Sequence, residues 1–427
     1  MTTKREALEA TPIIEADQFN LIETIHADMK KDFAELRLRD DSVTDFCPSG
    51  NASIDLVASD KIGNGGWAFG RIIEMYGDES TGKSMLANLC LINTIHRLGG
   101  IGFLMDTENG FTPAFYRMLG GDPDALLIHN PKHIDEAWAF VLKAIEKVEV
   151  LRKKTGKNIP FAIVYDSLAG SPTVEEYEKG MGTVDYGKRG KAHYQGCRLA
   201  VDRIRESNAL LFVVNQLRAT MAQFGPEQDS VGGKAMKYFA SLRCHLKRSK
   251  RLYESTSGEV AIKTQSGAKA SDRFVGMRCK FQVEKTRFTV PFREVEFDLY
   301  FRGGVSPFSG WYGVLKDHWV DEFGKNRITG APAKTDPTKV RPGYYMIDGD
   351  TDNSFTEKTF MEYLVKNRPD LLAGYKYDEE AAELLGKEES VQAVDISPEE
   401  QEEAEKLRQE GWDDESEESD ASAADKV

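Results

Sequence analysis

Gly77-Asp78-Glu79-Ser80-Thr81-Gly82-Lys83-Ser84 has the spacing G-x-x-x-x-G-K-[ST] of a phosphate-binding loop. The chemistry explains the pattern. Backbone N–H groups cradle phosphates, Lys83 reaches the terminal phosphates, and the Ser84 hydroxyl is a ligand for Mg²⁺. A Gly/Ser turn could match by chance, so the flanks decide. Arg71 to Tyr76 reads as a buried strand entering the loop, and Met85 to Leu98 reads as a helix leaving it, stopped by Gly99-Gly100. All eight residues of the loop are therefore expected to hold a nucleoside triphosphate, with Mg²⁺ on Ser84.

Outward from this unit, strand and helix patterns alternate, as in a mostly parallel sheet with crossover helices. Strands are expected at Ile101 to Asp106, Leu126 to His129, Phe161 to Tyr165 and Leu210 to Val214. Helices are expected from Thr112-Pro113 to Gly120-Gly121, from Asp135 to Leu151 and from Lys191 to Ser207. Ser241 to Lys247, Met277 to Glu284 and Glu294 to Tyr300 alternate apolar with polar residues, which predicts an antiparallel extension with one wet face. Before the core, Phe19, Ile22, Ile25, Met29, Phe33 and Leu36 mark an amphipathic helix whose apolar face needs a partner, either the chain's own core or a neighbouring subunit. Asp40 to Gly70 reads as a lead-in loop with a short helix near Ile54 to Val57. Beyond Gly303 lies a small mixed α+β region with a helix near Glu357 to Val365. The expected division is an N-terminal oligomerisation segment (1–46), an ATPase core (47–303), a small C-terminal domain (304–387) and an acidic, disordered tail (388–427).

The charge belongs mainly to that tail. From Glu388 to Val427 there are 16 Asp and Glu against 3 Lys and Arg, a net of −13 out of −14 for the 427-residue chain. A near-neutral body can still carry a basic surface, so the overall charge does not exclude a nucleic-acid partner. Five widely spaced cysteines without C-x-x-C spacing argue against a disulfide framework and a zinc site. No run is long and apolar enough for a membrane span, and a reducing cytoplasm is the expected setting.

In open parallel sheets ligands bind beyond the carboxyl ends of the strands. Asp106-Thr107-Glu108, Asp166-Ser167 and Asn215-Gln216 follow three of the strands, and the phosphate loop follows a fourth. Asp166 is placed to hold Mg²⁺, usually through a bound water. Glu108 is placed to accept a proton from the attacking water, and Gln216 to hydrogen-bond the γ-phosphate. Singly, each could be a cap or a turn residue; together, in this order, they make up a hydrolytic site. Two long loops exceed what hydrolysis needs. Pro172 to Gly190 carries Lys179, Lys188 and Arg189, and Arg218 to Gly233 carries Arg218, Phe224, Gly232 and Gly233, with Lys234 just beyond. Glycines, cations and an aromatic suit a single-stranded nucleic acid, though an ordinary solvated loop has the same composition. The basic run from Lys234 to Arg251 is either a solvated edge or a further source of phosphate contacts.

These motifs, in this order, resemble the RecA family of recombinases. The resemblance runs from about Pro48 to Gly303, roughly three fifths of the chain, and is most specific in Gly232-Gly-Lys-Ala-Met-Lys-Tyr-Phe-Ala-Ser-Leu-Arg243. It implies a RecA-like fold and a DNA-dependent ATPase that forms helical filaments on single-stranded DNA and exchanges strands with a homologous duplex, in recombination and the repair of DNA damage. It assigns Glu108 as the water activator, Gln216 as the γ-phosphate sensor and the two loops as DNA-binding loops. It also gives Lys285 and Arg287 the role of cations reaching the γ-phosphate of the adjacent subunit. Thr112 and Phe115 stand where the bacterial family has an Asp and a Tyr near the adenine, and Lys250 to Asp272 is longer than the usual connection. These departures suggest a divergent, phage-encoded member. A ring motor of helicase type on the same core and a non-catalytic nucleotide-regulated adaptor are the competing readings. The acidic tail is expected to compete with DNA for the basic surfaces, to contact accessory proteins, or merely to solubilise.

Overall fold

Strands that are apolar on both faces belong inside a covered sheet, and their placement organises this molecule. The computed structural model describes residues 43–372, apart from 181–186, 220–227, 232–233, 259, 264–266, 270, 322 and 334–335, together with residues 25 and 27–31. Residues 25 and 27–31 are helical, with Ile25 and Met29 exposed; they belong to a unit of their own. The rest of the expected N-terminal helix and the acidic tail lie outside the described residues.

In chain order, β1 (Phe46–Cys47), α1 (Ala52–Ser59) and β2 (Trp67–Ala68) precede β3 (Arg71–Gly77). Then come α2 (Lys83–Ile92), β4 (Ile101–Asp106), α3 (Pro113–Met118), β5 (Leu126–His129), α4 (Ile134–Thr155) and β6 (Phe161–Asp166). They are followed by α5 (Val174–Lys179), α6 (Lys188–Glu206), β7 (Ala209–Ala219), β8 (Gln228–Ser230), α7 (Ala235–Phe239) and β9 (Leu242–Glu254). The chain continues through β10 (Val260–Ile262), β11 (Arg273–Thr286), β12 (Glu294–Tyr300), β13 (Gly304–Val305), α8 (Trp311–His318), β14 (Ile328–Ala333), β15 (Asp336–Ile347) and α9 (Phe360–Asn367).

The central sheet has the order β13-β12-β11-β9-β3-β7-β6-β4-β5. From β9 to β5 all neighbours are parallel; from β9 to β13 all are antiparallel. Alternate residues of each buried strand face opposite layers. Ile163, Tyr165, Leu211 and Val213 pack with Trp138, Val141 and Ile145 of α4 and Cys197, Ala200 and Ile204 of α6. Ala162, Val164, Phe212 and Val214 pack with Leu86, Cys90 and Leu91 of α2. That second cluster extends to Trp311 and Leu315 of α8 and Phe360 and Leu364 of α9, so residues 304–372 share its apolar core. All five cysteines are buried and free. Among the described residues no helix is long and apolar enough to cross a membrane.

Three expectations need correction. β9 is not simply an antiparallel strand with a wet face: it is parallel to β3 on one side and antiparallel to β11 on the other, and Leu242 to Cys244 are fully covered. A strand joining the two halves of a mixed sheet loses its wet face because both flanks and both layers cover it. The expected first loop, Pro172 to Gly190, is partly helical. α5 is fixed by a capping box in which Thr173 and Glu176 satisfy each other's backbone N–H, and α6 starts at Lys188 rather than Lys191. Arg218, expected in the second loop, lies on β7, paired in register with Asp229 of β8.

Candidate nucleotide site and nucleic-acid loops

The register of the parallel strands brings the expected groups to one edge. Gly77 is beside Gln216, and Asp106 is beside Asp166. The phosphate loop leaves β3 and enters α2 through Gly82, which has φ +93° and caps the helix. Two glycines are needed for close approach as well. A Cβ at Gly77 would lie 2.1 Å from the Leu246 carbonyl oxygen, and one at Gly82 would lie 2.3 Å from Leu299 Cδ1. Ser80 takes a left-handed φ of 54°, and the Thr81 hydroxyl donates to the Asp78 carbonyl at 2.9 Å, so the loop is already curled around the helix N-terminus.

Lys83 is buried, and its ammonium donates to the Asp78 carbonyl and lies 3.5 Å from Thr81 Oγ1. Burial pushes its pKa down, against the pull of Asp166, Asp78, Glu79 and Glu108. A buried cation whose direct partners among the described residues are neutral oxygens, at the start of a helix, suits a phosphate. Asp166 accepts a hydrogen bond from the Ser84 side chain, and its carboxyl is pushed up to about 6, first by burial and then by repulsion from Glu108 and Asp106. A divalent cation would relieve that repulsion, so Ser84 and Asp166 fit Mg²⁺. Phe115 on α3 is half-buried and packs against the core, as does Phe111.

Glu108 sits on a turn built by Asp106, whose carboxylate accepts the N–H groups of Glu108, Gly110 and Phe111 at 2.9–3.2 Å. Its own Oε1 accepts the Ser167 hydroxyl and, at 3.1 Å, the Gln216 side-chain amide. The expected water activator and the expected sensor are thus in contact.

Lys285 and Arg287 are elsewhere. The Lys285 ammonium donates to the carbonyls of Lys237 (2.6 Å) and Tyr238 (3.2 Å), and Arg287 donates to Tyr238, all at the end of α7. Cys279, also on β11, touches the phosphate loop at the Thr81 carbonyl. Lys285 is six residues farther along the strand, roughly 20 Å at the rise of a β-strand.

The expected DNA-contacting cations divide. Lys179 and Lys188 both pair with Glu175, the former at 2.9 Å, and Arg189 pairs with Glu176 at 3.0 Å. Lys234 is exposed at the start of α7. Phe224, Gly232 and Gly233 lie outside the described residues.

Sequence reasoning missed a buried polar cluster beneath this edge. Glu74, fully buried on β3, accepts Arg243 Nε on one oxygen and Asn215 Nδ2 (2.8 Å) on the other. Arg243 also reaches Glu284 Oε2 at 2.8 Å and Ser230 Oγ at 3.3 Å, and lies 4.8 Å from the Tyr76 ring centroid. Asn215 accepts from the backbone N–H of Gln216 and donates to the Val231 carbonyl, each at 2.9 Å. The signal was a carboxylate between Ile72-Ile73 and Met75-Tyr76, since a charge inside a two-sided apolar strand requires a partner.

The RecA N-terminal domain family matches residues 21–306. Over 326 residues the chain is 31% identical to Protein RecA of Corynebacterium glutamicum (strain R), spanning 75% of this chain and 78% of that one. It is 33% identical over 284 residues to Protein RecA of Corynebacterium pseudotuberculosis (strain C231), spanning 65% and 69%. It is also 28% identical over 358 residues to Protein RecA of Corynebacterium jeikeium (strain K411), spanning 82% of each. With the strand order and the site geometry above, these matches show that the chain is a divergent member of the RecA family.

Proposed function

We propose that this chain is a DNA-dependent ATPase and recombinase. It assembles into helical filaments on single-stranded DNA, pairs that strand with a homologous duplex and exchanges strands. The observation that carries the reading is the position of Gln216: beside Gly77, bonded to Glu108, and on a strand that runs on into the β7–β8 pair flanking the second loop. A group that meets the γ-phosphate at one end and leads to a DNA loop at the other can couple the two.

The residues divide the work. Loop N–H groups and Lys83 bind the phosphates; Ser84 and Asp166 hold Mg²⁺, which when bound neutralises charge on the β- and γ-phosphate oxygens. Glu108 accepts the proton of the attacking water, and Gln216 donates to the γ-phosphate. Lys285 and Arg287 serve the neighbouring subunit, because the roughly 20 Å along β11 keeps Lys285 from its own phosphate loop. Lys179, Lys188, Arg189, Arg218, Phe224, Gly232, Gly233 and Lys234 contact single-stranded DNA. The Lys179 and Lys188 pairs with Glu175 stand in solvent, so a phosphate backbone takes these cations at little cost, whereas Arg189 is held more firmly in a largely covered pair with Glu176.

ATP hydrolysis measured with and without single-stranded DNA tests the reading, with electron microscopy of the same mixtures. DNA-stimulated turnover and helical filaments are expected; unstimulated turnover together with rings or no assembly would overturn it.

A further inference from the structure

We propose that Ser167 is a positioning residue for hydrolysis: its hydroxyl fixes the Glu108 carboxylate by one oxygen and leaves the other to meet the attacking water. The inference rests on the reading of Glu108 as the water activator.

Both side-chain donors to Glu108 converge on Oε1, and among the described residues none reaches Oε2. A carboxylate held by one oxygen keeps its second lone-pair-bearing oxygen in a defined direction, which a proton acceptor needs. The two donors are not equivalent. Gln216 stands half-buried at the strand edge beside the phosphate loop, and a γ-phosphate that binds its amide takes that donor from Glu108.

Ser167 stays in place, because it is buried and latched from both sides. Its N–H donates to Thr107 Oγ1 at 2.9 Å, and the same hydroxyl donates to the Ser167 carbonyl at 2.7 Å. The Thr107 N–H is tied to the Asp166 carbonyl at 2.8 Å. Thr107 directly precedes Glu108, so this latch sets the distance between the Ser167 hydroxyl and the Glu108 backbone, while Asp106 fixes the turn itself. With the backbone held by Asp106 and the carboxylate by Ser167, Gln216 can leave without releasing the water activator.

The test is steady-state ATP hydrolysis by the full chain with Mg²⁺ and single-stranded DNA, for the wild type, Ser167→Ala, Glu108→Gln and the double variant. Affinity for a fluorescent ATP analogue is measured on each. Ser167→Ala is expected to lower kcat about tenfold or more, with KM and analogue affinity within about twofold, because an unheld general base loses part of a contribution of roughly 10²–10⁴. In the Glu108→Gln background the same substitution is expected to cost nothing further. Four results overturn the assignment: kcat within twofold of wild type, a raised KM with unchanged kcat, lost analogue binding, or an equal loss in both backgrounds. A wild type that does not hydrolyse ATP overturns the ATPase reading and this inference with it; an active wild type matched by Ser167→Ala overturns this inference alone.

Discussion

On the proposed reading, Lys285 is the side chain that ties hydrolysis to assembly. Two backbone carbonyls at the end of α7 hold its ammonium, and its pKa is pushed down to about 8 by burial, then by Arg287 and Arg243. A lysine with a lowered pKa is charged below that value and neutral above it. Assembly-linked ATP hydrolysis is therefore expected to decline as pH rises through about 8, and Lys285→Arg is expected to hold it to higher pH, since a guanidinium does not deprotonate. Turnover across this range for both proteins checks the prediction; coincident profiles would contradict it. At this scale the sequence was legible where a spacing marks a local structure, as in Gly77 to Ser84, which leads from β3 into α2 as expected. Ser167 and Arg243 were not, because their partners lie 59 and 169 residues away and meet them only through strand register.

β9 is the element on which the sheet turns from parallel to antiparallel, and Arg243 is its polar anchor. Its guanidinium joins Glu74 of β3, Glu284 of β11 and Ser230 of β8. Removing one partner of a buried pair strands the other charge, so Arg243→Met is expected to destabilise the fold by about 3–5 kcal/mol. Adding Glu74→Gln should return part of that loss, because the remaining group is then neutral. Thermal unfolding of the two variants tests this, and equal midpoints would contradict it. The parallel strands were readable because burial on both faces leaves nearly continuous apolar runs, as in Phe161 to Tyr165. β9 was misread because Arg243 and His245 alternate with Leu242, Cys244 and Leu246 as a wet face would, yet Arg243 is buried against Glu74 and His245 stacks on Tyr76. The length of Lys250 to Asp272 is partly explained by continued strand, with β9 running to Glu254 and β10 pairing against it.

Over the whole chain, net charge is divided between a nearly neutral body and a tail of −13. Such a tail competes with DNA phosphate for cationic surfaces, and truncation after Gly386 is expected to strengthen duplex binding, most at low salt. Titrations at two salt concentrations test this, and equal affinities for full-length and truncated chains would contradict it. The phosphate loop looked self-contained as a sequence; the proposed reading makes it half of a site, because Lys285 near the end of β11 and Arg287 just beyond it are held at the end of α7. The most direct measurement mixes two defective chains, Lys83→Ala and Lys285→Ala, with single-stranded DNA and ATP. Each alone should be silent, and an equimolar mixture should recover about a quarter of wild-type hydrolysis, because random head-to-tail contacts pair an intact loop with an intact Lys285 about one time in four. A mixture no more active than its two components would contradict the account.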